Sequence, residues 1–103
     1  MDTKLDENAI KKELESCDGW KLTSDGNGSD KLEKTYIFLE YNAAIGFIMR
    51  VSMLAEKMNH HPDFVNNYKN VTVCWTSHSV GGVTNMDFRL AKRTDECACG
   101  KVA

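Results

Sequence analysis

Residues 43–76, AAIGFIMRVSMLAEKMNHHPDFVNNYKNVTVCWT, carry three patterns whose order decides the fold. Ala44, Phe47, Ile48, Val51, Leu54, Ala55 and Met58 recur at spacings of three and four, which predicts an amphipathic helix over Ala43–Asn59 with Asn42 as its N-cap. Ile45, Met49 and Met53 widen the apolar stripe beyond what one sheet face needs, and the excess fits a subunit interface. Pro62 prevents the helix from continuing and favours an extended His61. Two short runs follow, Phe64–Tyr68 and Val71–Thr76, with a tight turn expected at Lys69-Asn70. In the second run Val71, Val73 and Trp75 share one face. A helix that delivers the chain into a hairpin calls for antiparallel pairing.

The flanks extend the same plan. Upstream, Lys31–Tyr41 is rich in aromatic and β-branched residues, with Tyr36 and Phe38 on one face and Ile37 and Leu39 on the other. Two apolar faces imply that the outer one is covered as well. The polar run Thr23–Asp30 reads as a hairpin loop, and Trp20-Lys21-Leu22 opens the strand before it. Leu5, Ala9, Ile10, Leu14 and Cys17 predict a first helix over residues 4–16, closed by Gly19. Downstream, Ser77–Gly82 reads as a loop in which Gly81-Gly82 needs unusual backbone angles. Thr84-Asn85-Met86-Asp87 is a capping box, with Asp in place of Glu, opening a last helix through about Thr94. The order α-β-β-α-β-β-α over residues 1–103 predicts one α+β domain: a two-layer fold with a four-stranded antiparallel sheet and helices packed on one face.

Composition narrows the function. Hydrophobic residues at 42% and charged residues at 27% are globular values, and 103 residues suit one domain of modest stability that self-association would help. A formal net charge of -2 gives no electrostatic case for direct nucleic-acid binding. The acidic start Met1-Asp2-Thr3-Lys4-Leu5-Asp6-Glu7 has no apolar run, so a soluble intracellular protein with no secretory signal is expected. The apolar-rich stretch Ala43–Ala55 is too short and interrupted to span a bilayer. In that setting the four cysteines, Cys17, Cys74, Cys97 and Cys99, read as free thiols rather than a disulfide framework or a zinc knuckle.

Chemistry gathers at three histidines. His60 and His61 lie just past the central helix, whose C-terminal end favours imidazolium, and His78 lies just past the fourth strand. Imidazole is the side chain best matched to proton transfer near neutral pH, in either direction. Three histidines also raise the question of zinc, but neighbouring histidines seldom both reach one ion, and no cysteine stands at a ligand-like spacing. Gly81-Gly82 lacks the length and the lysine of a P-loop, and nothing beside Ser77-His78 marks an oxyanion site.

Glu56-Lys57-Met58-Asn59-His60-His61-Pro62-Asp63-Phe64, Tyr68, Val71-Thr72-Val73, Ser77-His78, Gly81-Gly82-Val83-Thr84, Asp87 and Leu90-Ala91 together closely resemble the pterin-4a-carbinolamine dehydratase family. Gly19-Trp20, Tyr36, Phe38 and Ala55 extend the resemblance over almost the whole chain. It implies dehydration of 4a-hydroxytetrahydropterin to quinonoid dihydropterin, recycling the cofactor of aromatic amino acid hydroxylases, with no metal or other cofactor of its own. It also implies His60 and His78 as proton donors to the leaving hydroxyl, on opposite faces of the ring. His61 would bind the pterin and help accept the N5 proton, with Glu56 orienting an imidazole. Ser77 stands where threonine is frequent, and Asn59 replaces the aspartate common before the histidine pair. Asp87 matches a site position and equally a helix cap; Trp20 matches a pocket-edge tryptophan and equally a core residue. The family further implies homodimers joined sheet to sheet, homotetramers joined through helices, and in some animal members a transcription-factor partner. The location expected is cytoplasmic, with a nuclear one following from that last role.

Overall fold

The computed structural model describes residues 3–24, 29–98 and 102. Helix α1 (Glu7–Leu14) starts at Asp6, whose carboxylate accepts the Ala9 N–H at 2.8 Å. It is shorter than residues 4–16. A turn through Cys17 follows, and Gly19, at φ +83°, reverses the chain there rather than at the helix end. Strands β1 (Lys21–Ser24) and β2 (Asp30–Ile37) pair antiparallel and take Thr23, Ser24 and Asp30 from the expected loop into the sheet, while its residues 25–28 lie outside the described residues. β2 stops four residues before Tyr41. The Phe38 N–H turns instead to the Lys69 carbonyl, 2.9 Å away. That early exit lets helix α2 run over Tyr41–Met58 with Glu40 as its cap, and Asn42 falls inside the first turn.

Strands β3 (Asp63–Asn67) and β4 (Asn70–Trp75) form the second hairpin. The turn residues are Tyr68 and Lys69, one position earlier than the sequence suggests. Tyr68 takes φ +55°, a conformation costly for a bulky residue. Asn66 spans this turn, its side-chain amide donating to the carbonyls of Tyr68 (3.2 Å) and Asn70 (3.1 Å). One sheet results, in the order β1-β2-β4-β3 and antiparallel throughout, with Leu32 opposite Trp75 and Tyr36 opposite Val71. After β4 comes a single 3₁₀ turn, His78–Val80, ended by Gly81 at φ +68°. Helix α3 (Asn85–Cys97) then runs one turn past Thr94. The α+β architecture and element order are those read from the sequence.

The core lies between one sheet face and the helices. Leu32, Tyr36, Val71, Val73 and Trp75 meet Phe47, Val51 and Leu54 of α2 and Phe88, Leu90 and Ala91 of α3. Tyr36, Phe38 and Phe47 pack ring to ring, with Phe47 centred 4.7 Å from Tyr36 and 4.9 Å from Phe38. Ile37 and Leu39, on the opposite side, are exposed within this chain, as are Met49 and Met53 of α2.

No disulfide joins the described cysteines, and Cys99 lies outside those residues. The Cys74 thiol, buried against the outer sheet face, is pushed up to about 11 by burial and, secondarily, by the Glu33 carboxylate. A raised thiol keeps its neutral form in the fold, so its contribution to stability is intact below the ordinary value near 9 and is lost as pH rises towards 11. Alkylation at pH 8 should therefore modify Cys74 about two orders of magnitude more slowly in the native than in the urea-unfolded protein. Peptide mapping by mass spectrometry reads that ratio, and equal rates would contradict the burial.

Candidate active site

Three chain elements converge at the start of α3. The first is the end of α2, where Asn59 takes φ +50° and ψ +44°. Asparagine tolerates this left-handed conformation better than most residues. The Asn59 and His60 N–H groups both return to the last turn of α2, His60 bonding Ala55 O at 3.1 Å. The second is the end of β4, which brings Ser77 inside. The third is the capping box of Thr84 and Asp87 that opens α3.

Asp87 has no exposed surface, and donors surround it. Its Oδ1 faces His60 Nε2 at 2.7 Å, while Oδ2 accepts Ser77 Oγ–H at 2.8 Å, the Thr84 N–H at 2.9 Å and Thr84 Oγ1–H at 3.3 Å. His60 also stacks on Trp75, the ring centres 5.9 Å apart and inclined by 19°. Asp87 is thus a helix cap and the histidine's partner at once. Glu56 pairs with the other member of the dipeptide: its Oε1 lies 2.8 Å from His61 Nε2, in the open. His78 is exposed on the 3₁₀ turn.

A cleft of about 170 Å³ opens here, lined by Met58, Asn59, His60, Ser77, Ser79, Thr84 and Met86. Pockets for drug-sized ligands run to roughly 300–1,000 Å³, so this one is small. His60 lines it, His61 follows directly, and His78 sits between Ser77 and Ser79 of its wall. Among the described residues, no hydrogen bond or ring contact joins one histidine to another. Among the described residues, no three His, Cys, Asp or Glu side chains are grouped to hold a metal ion.

Trp20 is placed elsewhere. Its indole N–H reaches Asp95 at 3.2 Å, and Asp95 also accepts from Lys34 Nζ at 2.7 Å and from the Tyr36 hydroxyl. Burial, followed by the hydrogen bond and charge of Asp95, drives the Tyr36 phenol strongly upward, so it remains a donor. Asp95 lies eight residues beyond Asp87 on one helix, about 12 Å along its axis. This cluster binds the turn before β1 to the far end of α3. Trp75 and Thr84 escaped the sequence reading as site residues; a strand face directed at the end of α2 was the available signal for Trp75.

Fold and site define an α+β protein in which a buried carboxylate holds one histidine, His60, against a small cleft. The family model of Pterin 4 alpha carbinolamine dehydratase matches residues 3–97, and the chain belongs to that family. A candidate pterin-4-alpha-carbinolamine dehydratase of Chelativorans sp. (strain BNC1) is 40% identical over 95 residues, 92% of this chain and 94% of that one. Another, from Sulfurisphaera tokodaii, is 42% identical over 93 residues, 90% of this chain and 95% of its own. The crystal structure of a transcriptional coactivator/pterin dehydratase from Brucella melitensis superposes with a TM-score of 0.84 at 31% identity, covering 93% of this chain and 99% of that one. A pterin dehydratase-like protein, described as a RuBisCO assembly factor in the alpha-carboxysome, shares the fold alone, with 20% identity and a TM-score of 0.65 over 78% of this chain and 89% of that one.

Replacing Trp20 by Phe removes one donor from Asp95 and nothing from the cleft. It should cost about 1 kcal/mol in urea denaturation and leave any ligand binding at the cleft unchanged; weakened binding with stability intact would move Trp20 into the site.

Proposed function

We propose that this protein dehydrates 4a-hydroxytetrahydropterin to quinonoid dihydropterin by histidine acid/base catalysis, recycling the pterin used by aromatic amino acid hydroxylases. Elimination needs two proton movements: one onto the departing 4a-hydroxyl, one away from N5. Imidazoles near neutrality serve both. The observation that carries the reading is the pair of histidine–carboxylate contacts, His60 with Asp87 and His61 with Glu56, the first of them on the wall of a cleft of about 170 Å³. Met58 and Met86 give that cleft apolar, polarizable walls for a heterocycle. The reading is of a cytoplasmic enzyme.

Purified protein added to hydroxylase-generated carbinolamine should accelerate the appearance of quinonoid dihydropterin. Replacing His60 or His78 by Ala should lower kcat by about 10²–10⁴-fold, and His61→Ala should chiefly raise KM. No acceleration by the unaltered protein would end the dehydratase reading.

A second reading rests on the uncovered side of α2. Ile45, Met49 and Met53 stand exposed at four-residue intervals, and the Brucella melitensis relative is described as a transcriptional coactivator as well as a dehydratase. In this reading the helix face joins copies of the chain, or one copy and a transcription factor. Light scattering should give a dimer or tetramer that Met49→Glu with Met53→Glu dissociates. A wild-type monomer would contradict self-association.

A further inference from the structure

A second cavity, of about 270 Å³, lies between α2 and α3 and is lined by Leu54, Met58, Arg89, Leu90, Lys92 and Arg93. Its floor is apolar, with Leu54 and Leu90 buried, and its rim is cationic. Arg89 stands three residues before Lys92 and four before Arg93, the spacings that bring side chains together on a helix, and all three are exposed. Like charges at those spacings oppose the helix. The chain as a whole carries a net charge of -2, so three cations around one groove are a local concentration that works against stability. Arg93 meets Glu96 at 3.7 Å, with both side chains largely in solvent. The groove adjoins the histidine cleft. Met58 lines both cavities, and Met86 of the cleft lies against Arg89, whose guanidinium points to its Sδ at 3.9 Å. The two cavities therefore meet at a pair of thioether side chains, which are unbranched and able to move aside.

The reacting atoms of a pterin carbinolamine are C4a and N5, and C6 is bonded to N5. A substituent on C6 therefore leaves the ring beside the atoms that the cleft must hold. We propose that the α2–α3 groove receives this substituent, that the preferred substrate carries an anion there, a phosphate ester or a carboxylate, and that Arg89, Lys92 and Arg93 set the preference. The inference rests on the dehydratase reading and names its substrate class. From Met86 the three cations lie roughly 5–10 Å along the helix axis, within reach of a short side chain. The two guanidinium groups present paired N–H donors that fit phosphate or carboxylate oxygens, and Lys92 adds a point charge. Methylene groups of the same substituent would lie on Leu54 and Leu90. A neutral substituent meets the apolar floor alone.

Calorimetry on the full chain at low salt tests this with three dihydropterins that differ only at C6, where one carries a hydroxyalkyl, one a carboxyalkyl and one a phosphoalkyl group. The anionic forms should bind about tenfold more tightly than the neutral one, and the advantage should fade at high salt. A gain confined to the phosphate, or to the carboxylate, supports the subsite and identifies its anion. Arg89→Glu with Lys92→Glu should cancel the advantage. Equal affinity of all three ligands for the wild type would overturn the proposal, as would an advantage that survives the double variant. Should that variant not fold, NMR of the wild-type Arg89 and Arg93 side-chain N–H groups decides. Those signals should shift with the anionic forms and not with the neutral one, and unmoved signals would overturn the groove as the subsite. Failure of the dehydratase reading looks different: the carbinolamine of the neutral pterin is not turned over, and the subsite falls with it. Turnover of that carbinolamine with no preference for an anion leaves the enzyme standing and removes the subsite alone.

Discussion

A carboxylate with no exposed surface persists in a small protein only if donors replace its water, since an unpaired charge there would cost several kcal/mol. Asp87 takes its donors from three separate segments: Thr84 from its own helix, Ser77 from the end of β4, and His60 from the end of α2. Removing any one leaves the others facing an unbalanced charge. The start of α3, the exit of the central strand and the end of the central helix are therefore held in one arrangement. The positions of Ser79, Met86 and Met58 around the cleft follow from that junction.

α3 repeats the device at its other end. Asp95 collects Trp20, Lys34 and Tyr36, which sit on the turn before β1 and on β2. With a carboxylate anchoring each end, the helix is fixed in rotation and in translation across the sheet. Leu90 and Ala91, between the anchors, are buried, as is Phe88 next to Asp87. The two anchors differ in their chemical use. Asp95 faces groups that hold their protons, whereas Asp87 faces an imidazole, a side chain able to exchange one.

Periodicity made the fold legible: the stripe from Ala44 to Met58 and the alternation Val71, Val73, Trp75 place the helix and the central strand correctly. Boundaries moved where a tertiary bond displaced a local preference. Phe38 left β2 for the Lys69 carbonyl, so Asn42 lost the cap position to Glu40. The β3–β4 turn moved because the Asn66 amide stabilises a left-handed Tyr68, which no turn propensity suggests. At the cleft, the histidines and their acidic neighbours were legible as a set, but the pairing between them was not. Glu56 precedes His60 by one helical turn, yet the left-handed Asn59 swings His60 inward to Asp87 and leaves Glu56 to His61. Trp20 sat among the candidates through its place in the resemblance, and only the Asp95 contact shows which end of α3 it serves.

The three imidazoles therefore differ in freedom as well as in place. His60 is clamped on one edge and one face, and its side chain keeps only 19% of its surface exposed, whereas His61 keeps 59%. A group that must remove a proton from one ring atom gains from a fixed position, because misplacement by an ångström can cost about a hundredfold in rate. The difference follows from where the capping carboxylate of α3 points, so a residue needed to start a helix also holds one of the three histidines.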